Sequence, residues 1–253
     1  MKLPAWWARL NEYYLRGIER TMPWFEPQLG MPLAHLRSCL RNLGQRGFSA
    51  SSLIDVGANR ADWSKEFLHV FPDASIILVE PQTEMAGPLK EFCRKHPRCR
   101  WVEAAMADRV GSDVFTVLPD TYSSGFFHKE AVAIKHGWDR RTVAMTTLDQ
   151  LVRDSGVPPP DVVKIDAEGY EIKILSAAES LWGVTKLFFV EADLFDDAGR
   201  HGFTEIIKLM DARGYVAYDF SWFYKRPYDG ATMLCEIAFV QRQSPLRQYK
   251  YWA

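Results

Sequence analysis

Residues 52–59 have the sequence SLIDVGAN, and this stretch decides the fold class. Its leucine, isoleucine and valine crowd into one short run, as they do in strands buried on both faces of a parallel sheet. Gly57 and Ala58 follow at once, and residues 60–71 then have the apolar spacing of a helix. A strand, a turn of small residues and a helix predict the first unit of an α/β domain.

The same alternation continues along the chain. Short apolar runs predict further strands at residues 75–80, 100–102, 161–166 and 186–191, and helical spacing predicts helices at 83–95 and 202–213. Such alternation gives a doubly wound, mostly parallel, Rossmann-like sheet with right-handed crossovers.

Two later regions break the alternation. Residues 113–117 and 142–145 alternate apolar and polar positions and predict antiparallel strands on either side of an aromatic loop at residues 121–128. The run at residues 234–240 predicts a last strand, antiparallel to a strand at 215–218. Before residue 50, the sequence predicts two helices, at residues 4–22 and 31–46.

These patterns divide the chain into three parts. We predict an N-terminal helical segment (1–49), an α/β domain (50–242) with a substrate-side insertion at 112–146, and a C-terminal tail (243–253). The aromatic face of the first helix, with Trp6, Trp7 and Tyr13, favours a lid or a homodimer contact over core packing or membrane binding.

Composition limits the classes of partner. The chain has 253 residues and a net charge of −1, which gives no general attraction to nucleic acid. No apolar run is long enough to span a membrane, and charged residues interrupt the start before a signal peptide could form. The four cysteines form no metal-binding pattern and are interpreted as reduced thiols, so we expect a cytoplasmic protein.

The loop after the first strand has the features of a cofactor-binding turn. Its small residues let a ligand approach the backbone closely, and the following helix offers free N–H groups. Glu80 ends the second strand and is placed to accept the hydroxyls of a ribose, as the acid of dinucleotide folds does. Three glycines would be needed for a pyrophosphate, and only Gly57 is present. Asp55 and Asn59 instead suit the ammonium and carboxylate of a methionine group.

The loop therefore favours S-adenosylmethionine over a dinucleotide or an empty turn. Ala105 and Met106 follow the third strand and leave room for an adenine. The predicted cofactor-binding residues are Asp55, Gly57, Ala58, Asn59, Glu80, Pro81, Ala105, Met106 and Asp166.

One stretch across the sheet carries a family resemblance. Residues 162–171, with the sequence VVKIDAEGYE, resemble the FkbM-type methyltransferases, and the motifs at 54–59, 79–81 and 146–149 match as well. The resemblance spans residues 50–242. It implies a seven-stranded sheet with one antiparallel strand, and methyl transfer from S-adenosylmethionine to a hydroxyl of a sugar or another small molecule, as in natural product biosynthesis.

The resemblance places the reversal of strand order between the strands that end at Val56 and Asp166. Ligands bind at such a reversal, and Glu191 ends the next strand, so Asp166 and Glu191 are expected to lie close together. We predict Asp166 as the base or positioning group, with Glu191 beside it and His128 of the aromatic loop as an alternative base.

The carboxylates at this edge leave alternatives open. With Glu168 and Asp193, four acids would meet there, and Lys164, the sulfonium or a divalent cation such as Mg²⁺ held by Asp166 and Glu191 would balance them. Glu168 is equally interpreted as a cap of the next helix. An NAD-dependent oxidoreductase and a non-catalytic binding module remain the alternative functions.

Overall fold

A seven-stranded sheet forms the centre of the computed structural model, which describes residues 35–195 and 202–248. Numbered along the described residues, the strands are β1 (Ser52–Val56), β2 (Ser75–Val79), β3 (Cys99–Val102), β4 (Ala105–Met106), β5 (Gly111–Val117), β6 (Asp139–Thr146), β7 (Val162–Ile165), β8 (Leu187–Asp193), β9 (Tyr215–Lys225) and β10 (Thr232–Gln241). The helices are α1 (Leu36–Gln45), α2 (Asp62–Val70), α3 (Ala86–Lys95), α4 (Glu130–His136), α5 (Leu148–Ser155), α6 (Glu171–Ser176) and α7 (Phe203–Ala212).

The large sheet has the strand order β3-β2-β1-β7-β8-β10-β9. Strands β3, β2, β1, β7 and β8 are parallel, and β10 runs antiparallel to both of its neighbours. The strand order reverses between β1 and β7. This arrangement confirms the doubly wound, mostly parallel fold and sets the ligand crevice at the carboxyl ends of β1 and β7.

Burial on both faces explains why the central strands are apolar at consecutive positions. Ile54, Val163 and Phe188 belong to one core cluster, packed against α5, α6 and α7. Their sequence neighbours Leu53, Val162, Leu187 and Phe189 belong to the other, packed against α1, α2 and α3. Each core face therefore takes alternate residues of every strand.

A second, three-stranded sheet has the order β4-β6-β5, and its strands β5 and β6 lie at the two ends of the predicted insertion. β5 and β6 pair antiparallel, as expected. β6 begins at Asp139, earlier than predicted. The apolar pattern missed its first residues because they are charged. After β5 the chain turns back on itself, since Thr116 and Gly125 exchange two backbone hydrogen bonds of 3.0 Å. The loop of residues 118–128 is thereby held beside the carboxyl edge of the large sheet.

Some expectations fall on residues that the structure does not describe. The helix predicted at residues 4–22 and its aromatic face lie outside the described residues, as do positions 31–34 of the second predicted helix; its remainder is α1. Every helix in residues 35–195 and 202–248 is too short or too polar to cross a membrane.

Candidate active site

The loop after β1 is bound tightly to both neighbouring strands. The backbone N–H groups of Gly57 and Ala58 donate to the carbonyl of Val79 at 3.0 and 3.1 Å. Gly57 has a φ of 71°, and a Cβ there would stand 1.8 Å from the carbonyl oxygen of Asp166. Only glycine fits this position, and the close approach joins the ends of β1, β2 and β7.

Glu80 is the buried carboxylate beside this loop. Its Oε2 accepts the backbone N–H of Asn59 at 2.9 Å, and its Oε1 accepts the backbone N–H and side-chain amide of Gln82 at 3.0 and 3.1 Å. Burial raises the pKa of Glu80, and these hydrogen bonds oppose that rise by favouring the anion. The carboxylate is therefore oriented before any ligand arrives.

A cavity opens at the carboxyl ends of β1, β2 and β7. Seven of the predicted cofactor-binding residues line it: Gly57, Asn59, Glu80, Pro81, Ala105, Met106 and Asp166. Glu168, one of the acids expected at this edge, lines it as well. Sequence reasoning missed other lining residues, namely Gln82, Phe115, Thr121, Tyr122, Ser124 and Phe126. Most of these come from β5 and the loop after it, which carry no motif.

Asp55 and Ala58 take part differently from the expectation. The carboxylate of Asp55 is fully buried, accepts the hydroxyl of Ser64 at 2.6 Å, and lies 3.4 Å from the ammonium of Lys164. The group expected to meet a ligand's ammonium thus meets a lysine of the chain itself. The side chain of Ala58 packs into the core, and its backbone N–H donates to the carbonyl of Val79, which holds the loop in place.

Lys164 is the positive centre beneath the loop. Its Nζ donates to the carbonyls of Val56 and Gly57 at 3.2 and 3.0 Å, and lies 3.4 Å from Asp166 as well as from Asp55. Burial disfavours the charged form, but the surrounding carboxylates, Asp166 and Asp55 foremost, outweigh it and raise the pKa of Lys164. Lys164 remains protonated and ties the loop after β1 (residues 57–59) to the carboxylate of Asp166.

The loop of residues 118–128 covers the cavity. The side-chain amides of Asn59 and Gln82 both donate to the carbonyl of Thr121, at 3.0 and 2.9 Å. Farther along, Phe126 packs between Phe115 and Tyr170, with ring centroids 5.2 and 4.7 Å away. The loop thus closes over the predicted cofactor residues.

His128 lies at the far end of this loop. Its Nε2 is 2.8 Å from the carbonyl oxygen of Ser123, and its ring packs against Phe127 and Trp138. It is not among the residues that line the cavity. Its contacts fold the loop onto itself.

Two buried oxygen atoms beside the cavity have no hydrogen-bond donor among the described residues. They are the amide oxygens of Asn59 and Gln82, which flank Glu80. Buried acceptors left unpaired are costly. The site therefore fits a ligand that carries N–H and O–H donors, such as the ribose hydroxyls and amino groups of S-adenosylmethionine.

Three carboxylates meet at the rim. Asp166, Glu168 and Glu191 each present an oxygen within 4.8 Å of the others. Burial and the charges of Asp166 and Glu168 raise the pKa of Glu191 well above its usual value. Asp193, the fourth expected member, is turned to its own strand end, where it accepts the N–H of Phe195 at 2.7 Å.

The capping interpretation of Glu168 is wrong. Helix α6 begins at Glu171, its N-cap is Tyr170 and not Glu168, and the Tyr170 side chain makes no capping hydrogen bond. Glu168 instead has a φ of 52°, and Glu171 accepts the backbone N–H groups of Ala167 and Gly169 at 2.8 and 3.2 Å. Glu168 and Glu171 lie only three positions apart in the sequence. The left-handed turn at Glu168 places Glu168 at the cavity and leaves Glu171 buried behind the turn.

A family model described as the methyltransferase FkbM domain matches residues 55–217. No curated protein sequence matches the chain.

Several solved structures are similar in fold. A precorrin-6y C5,15-methyltransferase from Geobacter metallireducens is 16% identical, with 81% of this chain and 87% of that chain covered and a TM-score of 0.44. The 1,6-didemethyltoxoflavin-N1-methyltransferase of Burkholderia thailandensis, solved with S-adenosylhomocysteine, is 13% identical over 95% and 91%, also at 0.44. An rRNA methylase from Streptococcus thermophilus is 11% identical over 84% and 100%, at 0.47. At these values the likenesses say nothing about the acceptor.

Proposed function

The chain belongs to the FkbM family of S-adenosylmethionine-dependent methyltransferases, and from that premise we propose that it methylates a hydroxyl oxygen of a sugar or natural-product small molecule. The observation that carries the proposal is the carboxylate pair of Asp166 and Glu191 at the rim of the cofactor cavity. A dinucleotide-dependent oxidation, the alternative that the loop left open, has no support in the family match.

The residues around the cavity suit the cofactor that the family uses. When bound, S-adenosylmethionine supplies a methyl group on an activated sulfonium. Glu80 is fixed by Asn59 and Gln82 so that its carboxylate can accept ribose hydroxyls. The unpaired amide oxygens of Asn59 and Gln82 offer two more acceptors. We assign these three side chains, with Gly57, Pro81, Ala105 and Met106, to cofactor binding.

The base is the second part of the proposal. A hydroxyl acceptor must lose its proton as it is methylated, and a general base works best when its pKa lies near the working pH. Glu191 has a raised pKa because it is buried beside Asp166 and Glu168. Asp166 lines the cavity and lies against Lys164, which keeps it in place. We propose that Asp166 orients the hydroxyl, that Glu191 takes its proton, and that His128 holds the loop of residues 118–128 in place.

The face of the sheet beside Glu191 suggests where the acceptor lies. Glu236 of β10 pairs directly with Glu191, and Trp222 of β9 pairs directly with Glu236. Directly opposed residues of antiparallel strands project on one face. Trp222 is exposed and stacks with Tyr224 at 6.0 Å between centroids. An aromatic surface next to carboxylates suits a sugar ring or a planar natural product.

The carboxylates also offer the oxygen donors that Mg²⁺ takes. We propose that transfer needs no metal, because Lys164 already supplies positive charge beside Asp166. Turnover should therefore survive dialysis against EDTA.

The described cysteines are all free, which supports the proposal that the protein works in the reducing cytoplasm.

Two measurements test the proposal in sequence. Calorimetric titration with S-adenosylhomocysteine tests the cofactor site, and we expect saturable one-to-one binding. A screen of sugars, phenols and polyketide alcohols, each beside its amine analogue, then tests the acceptor class by the S-adenosylhomocysteine released. Turnover of the hydroxyl compounds supports the proposal; turnover restricted to the amines would overturn it.

A further inference from the structure

The turn between β7 and α6 forms one wall of the cofactor cavity and is held in an uncommon conformation. Asp166, Ala167 and Glu168 line the cavity. Glu168 has a φ of 52° and the next residue, Gly169, a φ of 94°. A residue with a side chain is costly in the left-handed region and persists there only when its surroundings fix it.

The side chain of Glu171 supplies that constraint. It is 3% exposed, and a single oxygen, Oε1, accepts the backbone N–H of Ala167 at 2.8 Å and of Gly169 at 3.2 Å. These two N–H groups flank Glu168 in the chain. Because both point to the same oxygen, the 166–167 and 168–169 peptide units are fixed relative to each other, and the unit between them, which carries the N–H of Glu168, is confined with them.

The same contact orients Asp166. Ala167 follows Asp166 directly, and its N–H belongs to the peptide unit that carries the Asp166 carbonyl. That carbonyl is the atom against which Gly57 packs, where a Cβ would approach to 1.8 Å. A shift of the turn would therefore reach both the Asp166 carboxylate and the cofactor loop.

We propose that Glu171 is a positioning residue that fixes the turn of residues 166–169 and thereby sets the shape of the cofactor cavity. It touches neither cofactor nor acceptor and acts through Asp166 and Glu168. The inference rests on the proposed function only in taking this cavity as the cofactor site.

The ionisation state of Glu171 should matter near neutral pH. Burial, with the charge of Asp166, raises the pKa of Glu171 to about 7. The charged groups that face this region are Asp166 and Glu168 on the turn, Glu191 on β8 and Lys164 on β7. The anion accepts two N–H groups more strongly than the neutral acid does. Affinity for the cofactor product should therefore fall as the pH drops from 8 to 6.

Three variants test the inference by calorimetric titration with S-adenosylhomocysteine at pH 6, 7 and 8. Glu171→Leu removes the acceptor, and we expect the Kd at pH 8 to rise by about tenfold or more, the scale of losing charge-assisted hydrogen bonds. Glu171→Gln keeps an oxygen acceptor without the charge, so at every pH it should bind with about the affinity that the wild type shows at pH 6, and the pH dependence should be lost. Glu179→Gln, an exposed glutamate paired with Arg213, is the control and should match the wild type.

The outcomes are separable. Wild-type protein that does not bind S-adenosylhomocysteine contradicts the proposed function itself. Wild-type protein that binds, with Glu171→Leu binding equally well, overturns only the role of Glu171. If Glu171→Leu does not fold, as judged by circular dichroism, the pH series decides: Glu171→Gln must lose the pH dependence, and a profile identical to that of the wild type overturns the inference.

Discussion

Asp166 and Glu191 present carboxylate oxygens within 4.8 Å of each other at the ends of the adjacent strands β7 and β8. Burial and the nearby charge of Asp166 raise the pKa of Glu191 well above its usual value. Asp166 itself lines the cavity at the carboxyl ends of β1, β2 and β7. This relationship underlies the proposed chemistry.

Neutralising the pair should separate catalysis from binding. In Asp166→Asn and Glu191→Gln, we expect turnover to fall by roughly 10²–10⁴-fold, the usual contribution of a general base. The Kd for S-adenosylhomocysteine should stay within about threefold, because neither change touches Glu80 or Asn59. Steady-state kinetics with an identified acceptor measure the turnover, and calorimetry measures the Kd for S-adenosylhomocysteine. An Asp166→Asn enzyme with full turnover would remove Asp166 from the mechanism.

The pH profile should carry the signature of Glu191. Its raised pKa means that the proton stays on at pH values where an exposed glutamate is ionised. The base is therefore lost as the pH falls, and kcat/KM should rise along an acid limb that lies above pH 4.5. Glu191→Gln should abolish that limb. A profile that is unchanged in Glu191→Gln would assign the limb to another group.

Gln82 should contribute to cofactor affinity although no motif marks it. Gln82→Leu removes the side-chain amide that donates to both Glu80 and Thr121, together with its buried, unpaired oxygen. We expect the Kd for S-adenosylhomocysteine to rise by roughly 10-fold, the scale of one hydrogen bond lost to a charged group. Gln45→Leu, on the exposed end of α1, is the matched control and should leave the Kd unchanged.

Lys164 should be a stability determinant. Lys164→Met leaves the fully buried carboxylate of Asp55 without its cation, which typically costs roughly 3–5 kcal/mol. We expect a large fall in the Tm of Lys164→Met. The double variant Lys164→Met with Asp55→Asn removes both charges, and its Tm should return much of the way to that of the wild type. Equal melting temperatures for the single and double variants would show that the pair is not coupled.

Trp222 should contribute to binding of the acceptor and not to binding of the cofactor. Trp222→Ala removes the exposed ring that stacks on Tyr224, and we expect the KM for the acceptor to rise several-fold with an unchanged Kd for S-adenosylhomocysteine. Tyr228 lies in the turn of the same hairpin and is 93% exposed, so Tyr228→Ala serves as the control. Identical acceptor kinetics in the two variants would place the acceptor elsewhere.

The fold, and the meeting of the predicted cofactor residues at one cavity, could be predicted because both depend on local pattern. The central strands are buried on both faces, so their apolar runs are continuous, and the strand order followed from the family resemblance. Gly57, Asn59 and Glu80 lie at strand ends, where parallel topology brings them together.

The rest of the site depends on contacts between distant residues. Thr121 reaches Asn59 and Gln82 only because the loop after β5 folds back, and those residues are 62 and 39 positions away in the chain. The burial of Asp55 could not be predicted either. It follows from Lys164 standing on the neighbouring strand, where the register places the two side by side.

The atom that receives the methyl group tests the central claim most directly. The protein is incubated with S-adenosylmethionine carrying an isotopically labelled methyl group and an acceptor found in the screen, and the product is assigned by NMR. The account predicts a labelled methyl ether, formed by the wild type and lost in Asp166→Asn. A methyl group on nitrogen or carbon, or an ether formed equally well by Asp166→Asn, would contradict it.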